Sequence, residues 1–130
     1  MVSVKNIRKA FETRKGEVRA VANVSFEVPQ GKFFSLVGPS GCGKTTTLRC
    51  IAGLERPESG EVKIENIAVF SSDQNIFIPP HKRNIGMVFQ SYAIWPHMNV
   101  FDNVAFPLRY RRSQLFSGKG SECGLSWRAY

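Results

Sequence analysis

Eight consecutive residues have the types and spacing needed to hold a phosphate: Gly38, Pro39, Ser40, Gly41, Cys42, Gly43, Lys44 and Thr45. They fit the pattern of glycine, four residues of any type, Gly-Lys and then Ser or Thr that marks a phosphate-binding loop. The glycines leave room for successive backbone N–H groups to turn towards an anion. Lys44 would bring a positive charge to the terminal phosphates, and the Thr45 hydroxyl would ligate Mg²⁺. The loop therefore predicts nucleotide binding.

The segments on either side of the loop match the elements that usually position it. Phe33–Val37 is a short apolar run of strand type between two glycines. Thr45–Ala52 has apolar residues at helical spacing and stops at Gly53. A strand, a glycine loop and a helix N-terminus in this order bring free N–H groups and the helix dipole to a phosphate.

Length and composition describe one domain, or part of one, with 130 residues, of which 42% are hydrophobic. No apolar run is long enough to span a bilayer, and Met1–Lys5 does not begin a signal peptide, so we expect a cytosolic protein. The three cysteines are an odd number without metal-ligand spacing, which favours reduced thiols.

The net charge of +8 suggests nucleic-acid binding, but the distribution of the basic residues weakens that interpretation. Five of the 18 basic residues lie between positions 109 and 130, against a single acid, Glu122, while the others are well mixed with acids. This pattern is typical of a solvated surface with a basic tail. We therefore do not expect nucleic acid as a partner.

The N-terminal segments predict a layer of antiparallel strands. Residues 2–8 and 18–28 each alternate apolar and polar side chains around a polar turn. Glu61–Ile64 reads as a further strand, and residues 66–84 are expected to be irregular because they end in consecutive prolines. Phe11 stands alone at the end of the first strand, where its spacing favours a core or hairpin-packing role.

A second core strand, parallel to the first, is predicted at Ile85–Phe89, which is almost wholly apolar. Gln90 follows it, at the position where an open α/β sheet contacts its ligand, although an edge glutamine bonded to backbone fits equally well. The apolar loop Tyr92–Met98 is either core filler or a docking surface. His81 and His97 are isolated and are interpreted as surface or packing histidines.

After that loop, Asn99 can cap a helix through Val100 and Ala105, with Pro107 disturbing its end. From Arg111 onward no period is sustained, which predicts weak order.

Two stretches together resemble the first half of an ATP-binding-cassette (ABC) ATPase: GPSGCGKTTTLRCIAGLERPESGEV at 38–62 and PPHKRNIGMVFQSYAIWPHMNVFDNVAFPL at 79–108. The resemblance is to the importer group that powers uptake of sugars, polyamines, ferric iron or sulfate. It implies a truncated α/β P-loop NTPase core with an N-terminal antiparallel β layer. Residues 1–110 would form the N-terminal part of the ATP-binding domain, and 111–130 an aberrant, poorly ordered tail.

The resemblance also implies roles for individual residues. Phe11 matches the aromatic side chain that stacks on adenine, which implies a binding role for it. Gln90 matches the glutamine that ligates Mg²⁺ and senses the γ-phosphate of ATP. The phosphate cradle is matched by Gly38, Pro39, Ser40, Gly41, Cys42, Gly43, Lys44, Thr45 and Thr46.

By the same resemblance, Tyr92–Met98 would receive a coupling helix from a membrane-embedded permease subunit. The full-length family forms homodimers at the inner face of the cell membrane, which predicts a peripheral, cytoplasmic location. ATP and Mg²⁺ are the implied ligands.

Several catalytic parts of the family are missing from the chain. Neither aspartate, Asp73 or Asp102, follows four apolar residues or precedes a glutamate base. There is no Leu-Ser-Gly-Gly-Gln signature, and no switch histidine. We therefore expect a chain that binds MgATP but hydrolyses little or none of it alone.

Two other hypotheses stay open from the sequence. One is a non-catalytic truncated product that docks on the permease. The other is a basic P-loop protein that acts on nucleic acid.

Overall fold

The computed structural model describes residues 1–14, 16–91 and 94–116, with side chains up to Arg109. It divides into two compact units, one covering Met1–Ile85 and one beginning at Gly86.

The first unit contains a sheet of five strands in the spatial order β2-β1-β3-β4-β5, and every neighbouring pair is antiparallel. The predicted N-terminal antiparallel layer is confirmed. The strands are β1 (Val2–Thr13), β2 (Gly16–Val28), β3 (Ser59–Ile64), β4 (Ile67–Ser71) and β5 (Ile76–Phe77).

The prediction that residues 66–84 are irregular is wrong, since they contain β4, β5 and a 3-10 turn at Pro80–Lys82. The hairpin between β3 and β4 has a two-residue loop, Glu65–Asn66, and both residues have positive φ, 51° and 67°. This conformation suits the right-handed twist of a hairpin, but it usually requires glycine or asparagine at both positions. Glu65 gave no such signal in the sequence.

The core of the first unit is a cluster of buried side chains from this sheet. Its buried members come from all four longer strands: Val4, Ile7, Val21, Val62, Ile64, Val69 and Phe70. The helix α1 (Lys44–Ala52) packs Ile51 against this cluster. The predicted helix is confirmed, including its end at Gly53, whose φ of 80° places it in the left-handed region. Leu48, expected on the apolar face, is instead half exposed.

The prediction of two parallel core strands is wrong for the described residues, because neither Phe33–Val37 nor Ile85–Phe89 belongs to a strand. A strand needs a neighbour that takes up its N–H and C=O groups. No strand pairing in the described part of the chain includes either segment. Their apolar side chains are consequently open to solvent, with Val37 92% and Val88 97% exposed.

Arg83 closes the C-terminal end of α1. Its Nη1 donates to the carbonyl oxygens of Cys50 at 3.0 Å and Ile51 at 2.7 Å, and its Nε donates to that of Ile78 at 2.6 Å. The last carbonyls of a helix have no partner within the helix. A guanidinium here donates to them, and its positive charge interacts favourably with the negative end of the helix dipole. Arg83 is only 1% exposed, and burial lowers the pKa of its guanidinium.

The second unit contains α2 (Val100–Phe116). Asn99 caps it as predicted, accepting a hydrogen bond from the Asp102 N–H at 2.8 Å. The helix does not end near Pro107 but continues to Phe116. The predicted tail falls partly in this helix, and residues 117–130 lie outside the described part. Among the described residues, no helix is long and apolar enough to cross a membrane.

Replacing Arg83 by methionine is expected to lower the free energy of unfolding by about 2–4 kcal/mol, because the carbonyl oxygens of Cys50, Ile51 and Ile78 lose the guanidinium as a donor. Urea unfolding followed by circular dichroism measures the loss. Arg56→Met is the matched control, because Arg56 also lies over the Phe77 ring but is exposed. Equal stability of the two variants would contradict the capping role.

Cys50 is fully buried, and burial raises the pKa of its thiol to about 11 from an ordinary value of 9.0. The unfolded chain therefore loses this proton at lower pH than the folded chain does. The contribution to stability is complete below about pH 9 and is lost as the pH rises through about 11. The difference in unfolding free energy between wild type and Cys50→Ala should shrink over this range, and a constant difference would contradict the assignment.

Candidate functional site

The N-terminus of α1 carries a row of unpaired backbone donors. Lys44 begins the helix, and Thr47 is the first residue whose N–H is bonded, to the Gly43 carbonyl at 2.8 Å. No side chain caps this end. Within the described residues, no hydrogen bond is made by the N–H groups of residues 43–46. Such a row, at the positive end of the helix dipole, is suited to an anion.

Gly43 allows this end of the helix to approach β2 closely. Its φ is 92°, and a Cβ added there would collide with the carbonyl oxygen of Ala20. The register places Lys9 opposite Val21 and Ala10 opposite Arg19, so Ala20 is an extra residue on β2, a β-bulge. The bulge and the absence of a side chain at Gly43 together determine how the loop lies on the sheet.

Lys44 folds back over the loop. Its Nζ donates to the carbonyl oxygens of Gly38 and Pro39, both at 2.7 Å, and lies 3.5 Å from the Cys42 Sγ. These are weak competitors for an ammonium group, because a phosphate oxygen offers a full negative charge. The lysine is therefore held at the loop and available to an anion. Ser40, Gly41 and Cys42 are exposed in the turn that precedes the helix.

The two predicted magnesium ligands lie in different units. Thr45 is exposed in the first turn of α1, and Gln90 is exposed at a bend after residue 89. Both offer neutral oxygen ligands, which is the chemistry that Mg²⁺ accepts when phosphates and waters complete its shell. Among the described residues, no group of three or more His, Cys, Asp or Glu side chains could hold a metal.

Phe11 lies near the loop within the first unit. It pairs with Val18 on β2. Val18 is two residues, or about 7 Å along the strand, from Ala20, whose carbonyl oxygen lies against Gly43. The ring is 36% exposed and outside the buried core, which contradicts the core alternative of its interpretation from spacing but not the hairpin-packing alternative. The Lys9 Nζ lies 4.9 Å from its centroid.

In the second unit, the part of the Tyr92–Met98 loop that the structure describes is tied to α2. Tyr92 and Ala93 lie outside the described residues. Asn103 accepts from the Trp95 N–H at 2.8 Å and donates to the carbonyl oxygens of Trp95, Met98 and Asn99. Trp95 packs its ring near Phe106 at 5.8 Å but stays 49% exposed, so it contributes to the surface.

Sequence reasoning missed three residues that organise these sites: Glu58, Arg83 and Asn103. Each acts through hydrogen bonds to main-chain atoms. Glu58 accepts from the Ala10 N–H, 48 positions away, and Arg83 donates to the Ile51 carbonyl, 32 positions away, whereas the partners of Asn103 lie four to eight residues before it. The only sequence signal for Arg83 was Gly53 after α1, whose absent side chain leaves room for the guanidinium.

Comparison with known proteins supports the resemblance. A family model described as ABC transporter matches residues 21–126. The trehalose/maltose import ATP-binding protein MalK of Thermococcus litoralis is 58% identical over 97 residues, covering 75% of this chain and 26% of the relative. The spermidine/putrescine import ATP-binding protein PotA of Rubrobacter xylanophilus is 48% identical over 127 residues, covering 95% and 31%. The chain thus spans about a quarter to a third of the length of these relatives.

A solved structure agrees with these relatives. The dimeric, post-hydrolysis state of the ATP-binding cassette MJ0796, bound to ADP and Pi, superposes with a TM-score of 0.71 at 34% identity, over 95% of this chain and 51% of that one. This confirms the predicted fold class, a P-loop NTPase core of the ABC ATPase type with an N-terminal antiparallel β layer. Because the family model matches most of this chain, the chain belongs to the ABC transporter family, and its relatives are named as import ATP-binding proteins.

Proposed function

We propose that this chain is the ATP-binding portion of the energising subunit of an ABC importer. The observation that carries the proposal is the N-terminus of α1, where unpaired N–H groups, Gly43 and Lys44 meet at one point of the sheet. The roles proposed for the other predicted residues depend on a nucleotide bound at this helix end.

In this proposal, the N–H groups of the loop and of the first helical turn donate to the β- and γ-phosphates of ATP. The Lys44 ammonium exchanges the Gly38 and Pro39 carbonyls for phosphate oxygens. The Thr45 hydroxyl and the Gln90 side chain supply oxygen ligands for Mg²⁺, which neutralises phosphate charge when bound. Phe11 stacks on the adenine ring. The remaining members of the cradle are Ser40, Gly41, Cys42 and Thr46.

The Tyr92–Met98 loop is proposed to contact a permease subunit at the cytoplasmic face of the membrane. Gln90 lies two residues before this loop, so a change at the γ-phosphate would reach the docking surface through a short segment. Asn103 supports the proposal because it holds Trp95 and Met98 in a defined turn. Dimerisation is proposed by analogy with the dimeric solved cassette. The named relatives import different cargos, which supports a cassette that does not itself choose the cargo.

Hydrolysis by this chain alone is expected to be weak. A hydrolytic base must be free to accept a proton from water near the γ-phosphate. Asp102 is paired with Arg109 at 2.7 Å, and Asp73 accepts a hydrogen bond from the Ser72 hydroxyl at 3.1 Å. Both aspartates therefore already have partners.

Lys44→Ala should weaken binding of a fluorescent ATP analogue by tenfold or more, on the order of 1.4 kcal/mol or above, because a charge-assisted contact to phosphate is removed. Lys32→Ala is the control, since Lys32 is an exposed lysine outside the loop. Fluorescence anisotropy at constant ionic strength measures both. Unchanged affinity in Lys44→Ala would contradict nucleotide binding at this loop.

Steady-state phosphate release by the purified chain is expected to equal that of Lys44→Ala, because neither Asp73 nor Asp102 follows four apolar residues or precedes a glutamate base. A malachite-green assay with excess MgATP measures the release. Turnover well above the Lys44→Ala background would show that the chain contains a base that the sequence and structure do not identify.

A further inference from the structure

Glu58 extends the pairing between β1 and β3 to the residue before the start of β3. The backbone register of these strands ends where Arg8 lies opposite Ser59. The Glu58 N–H then donates to the Arg8 carbonyl at 2.9 Å. The next free donor on this edge of β1 is the N–H of Ala10, which donates to the Glu58 Oε1 at 2.8 Å. A side-chain carboxylate thus takes the place of a missing strand residue.

This bond holds β1 at the point where its other neighbour is irregular. The register between β1 and β2 shifts between Lys9 and Ala10, at the bulge formed by Ala20. A bulge interrupts the ladder locally and bends the strand. Phe11 follows immediately, so the direction of its ring depends on how the backbone at Ala10 is held.

We propose that Glu58 is a positioning residue that sets the Phe11 ring as the platform for the nucleotide base. This inference rests on the proposed function. Glu58 ends the short connection between α1 and β3, and its carboxylate ties this connection to Ala10 on β1, the strand that would hold the base. A nucleotide spans both ends, and its affinity depends on their separation being set in advance.

The charges around the carboxylate are consistent with this role. Arg8, Lys9 and Arg19 line a groove of about 340 Å³ together with Glu17 and Glu58. The Lys9 ammonium covers one face of the Phe11 ring. The base would therefore stack on the opposite face, and a tilt of the ring would reduce that contact.

The test compares two ligands of the same chain: ATP, which has a base, and inorganic tripolyphosphate, which has none. Glu58→Ala should weaken ATP binding about three- to tenfold, because a hydrogen bond to a charged group is lost and part of its energy goes into holding the ring. Tripolyphosphate binding should be unchanged. Glu58→Gln keeps an acceptor oxygen and should bind ATP as wild type does. Glu55→Ala removes the same charge from the same connection and is the matched control.

A double-mutant cycle with Phe11→Ala separates positioning from general stability. Once the ring is absent, Glu58→Ala should have no further effect on ATP affinity. The proposal is overturned if Glu58→Ala weakens both ligands equally, if it weakens neither, or if the two substitutions are additive. If Phe11→Ala leaves ATP affinity unchanged, base stacking itself fails along with this inference. If Phe11→Ala weakens ATP binding and Glu58→Ala does not, only this inference fails.

Discussion

The contact between Gly43 and the Ala20 carbonyl is the constraint on which the proposed nucleotide site depends. No residue with a Cβ fits there without moving the backbone of β2. Because α1 begins at the next residue, this single contact determines where its unpaired N–H groups lie on the sheet. Phe11 also lies against β2, because it pairs with Val18 of that strand. The groups proposed to bind the phosphates and the base are therefore both positioned by β2.

Local interactions support this arrangement at both ends of α1. At its start, packing against β2 replaces a side-chain cap, so the donors stay available to a ligand. At its end, Arg83 satisfies the carbonyls that a ligand would not reach. A helix capped in this asymmetric way keeps its binding groups at the N-terminal end only.

The sequence predicted the features that arise from local patterns. The GPSGCGKT loop, α1 with its end at Gly53, the first hairpin and the Asn99 cap each depend on residues within a few positions of one another. The parallel core strands failed, because a strand is defined by a partner and the described residues supply none for Phe33–Val37. The β3–β4 hairpin was missed because Glu65 takes a conformation it rarely adopts. Bonds from Glu58 and Arg83 join residues about 30 to 50 positions apart, which no local pattern records.

The acceptors of Arg83 have a consequence for how this part of the chain tolerates change. All three are main-chain oxygens, on Cys50, Ile51 and Ile78, so these positions can exchange their side chains without losing the bonds. Gly53 is different, because a Cβ there would lie 2.5 Å from the Arg83 Nε. The bonds to Arg83 therefore place no requirement on the side chains of the acceptors, whereas Gly53 is restricted both by the Arg83 guanidinium and by its own φ of 80°.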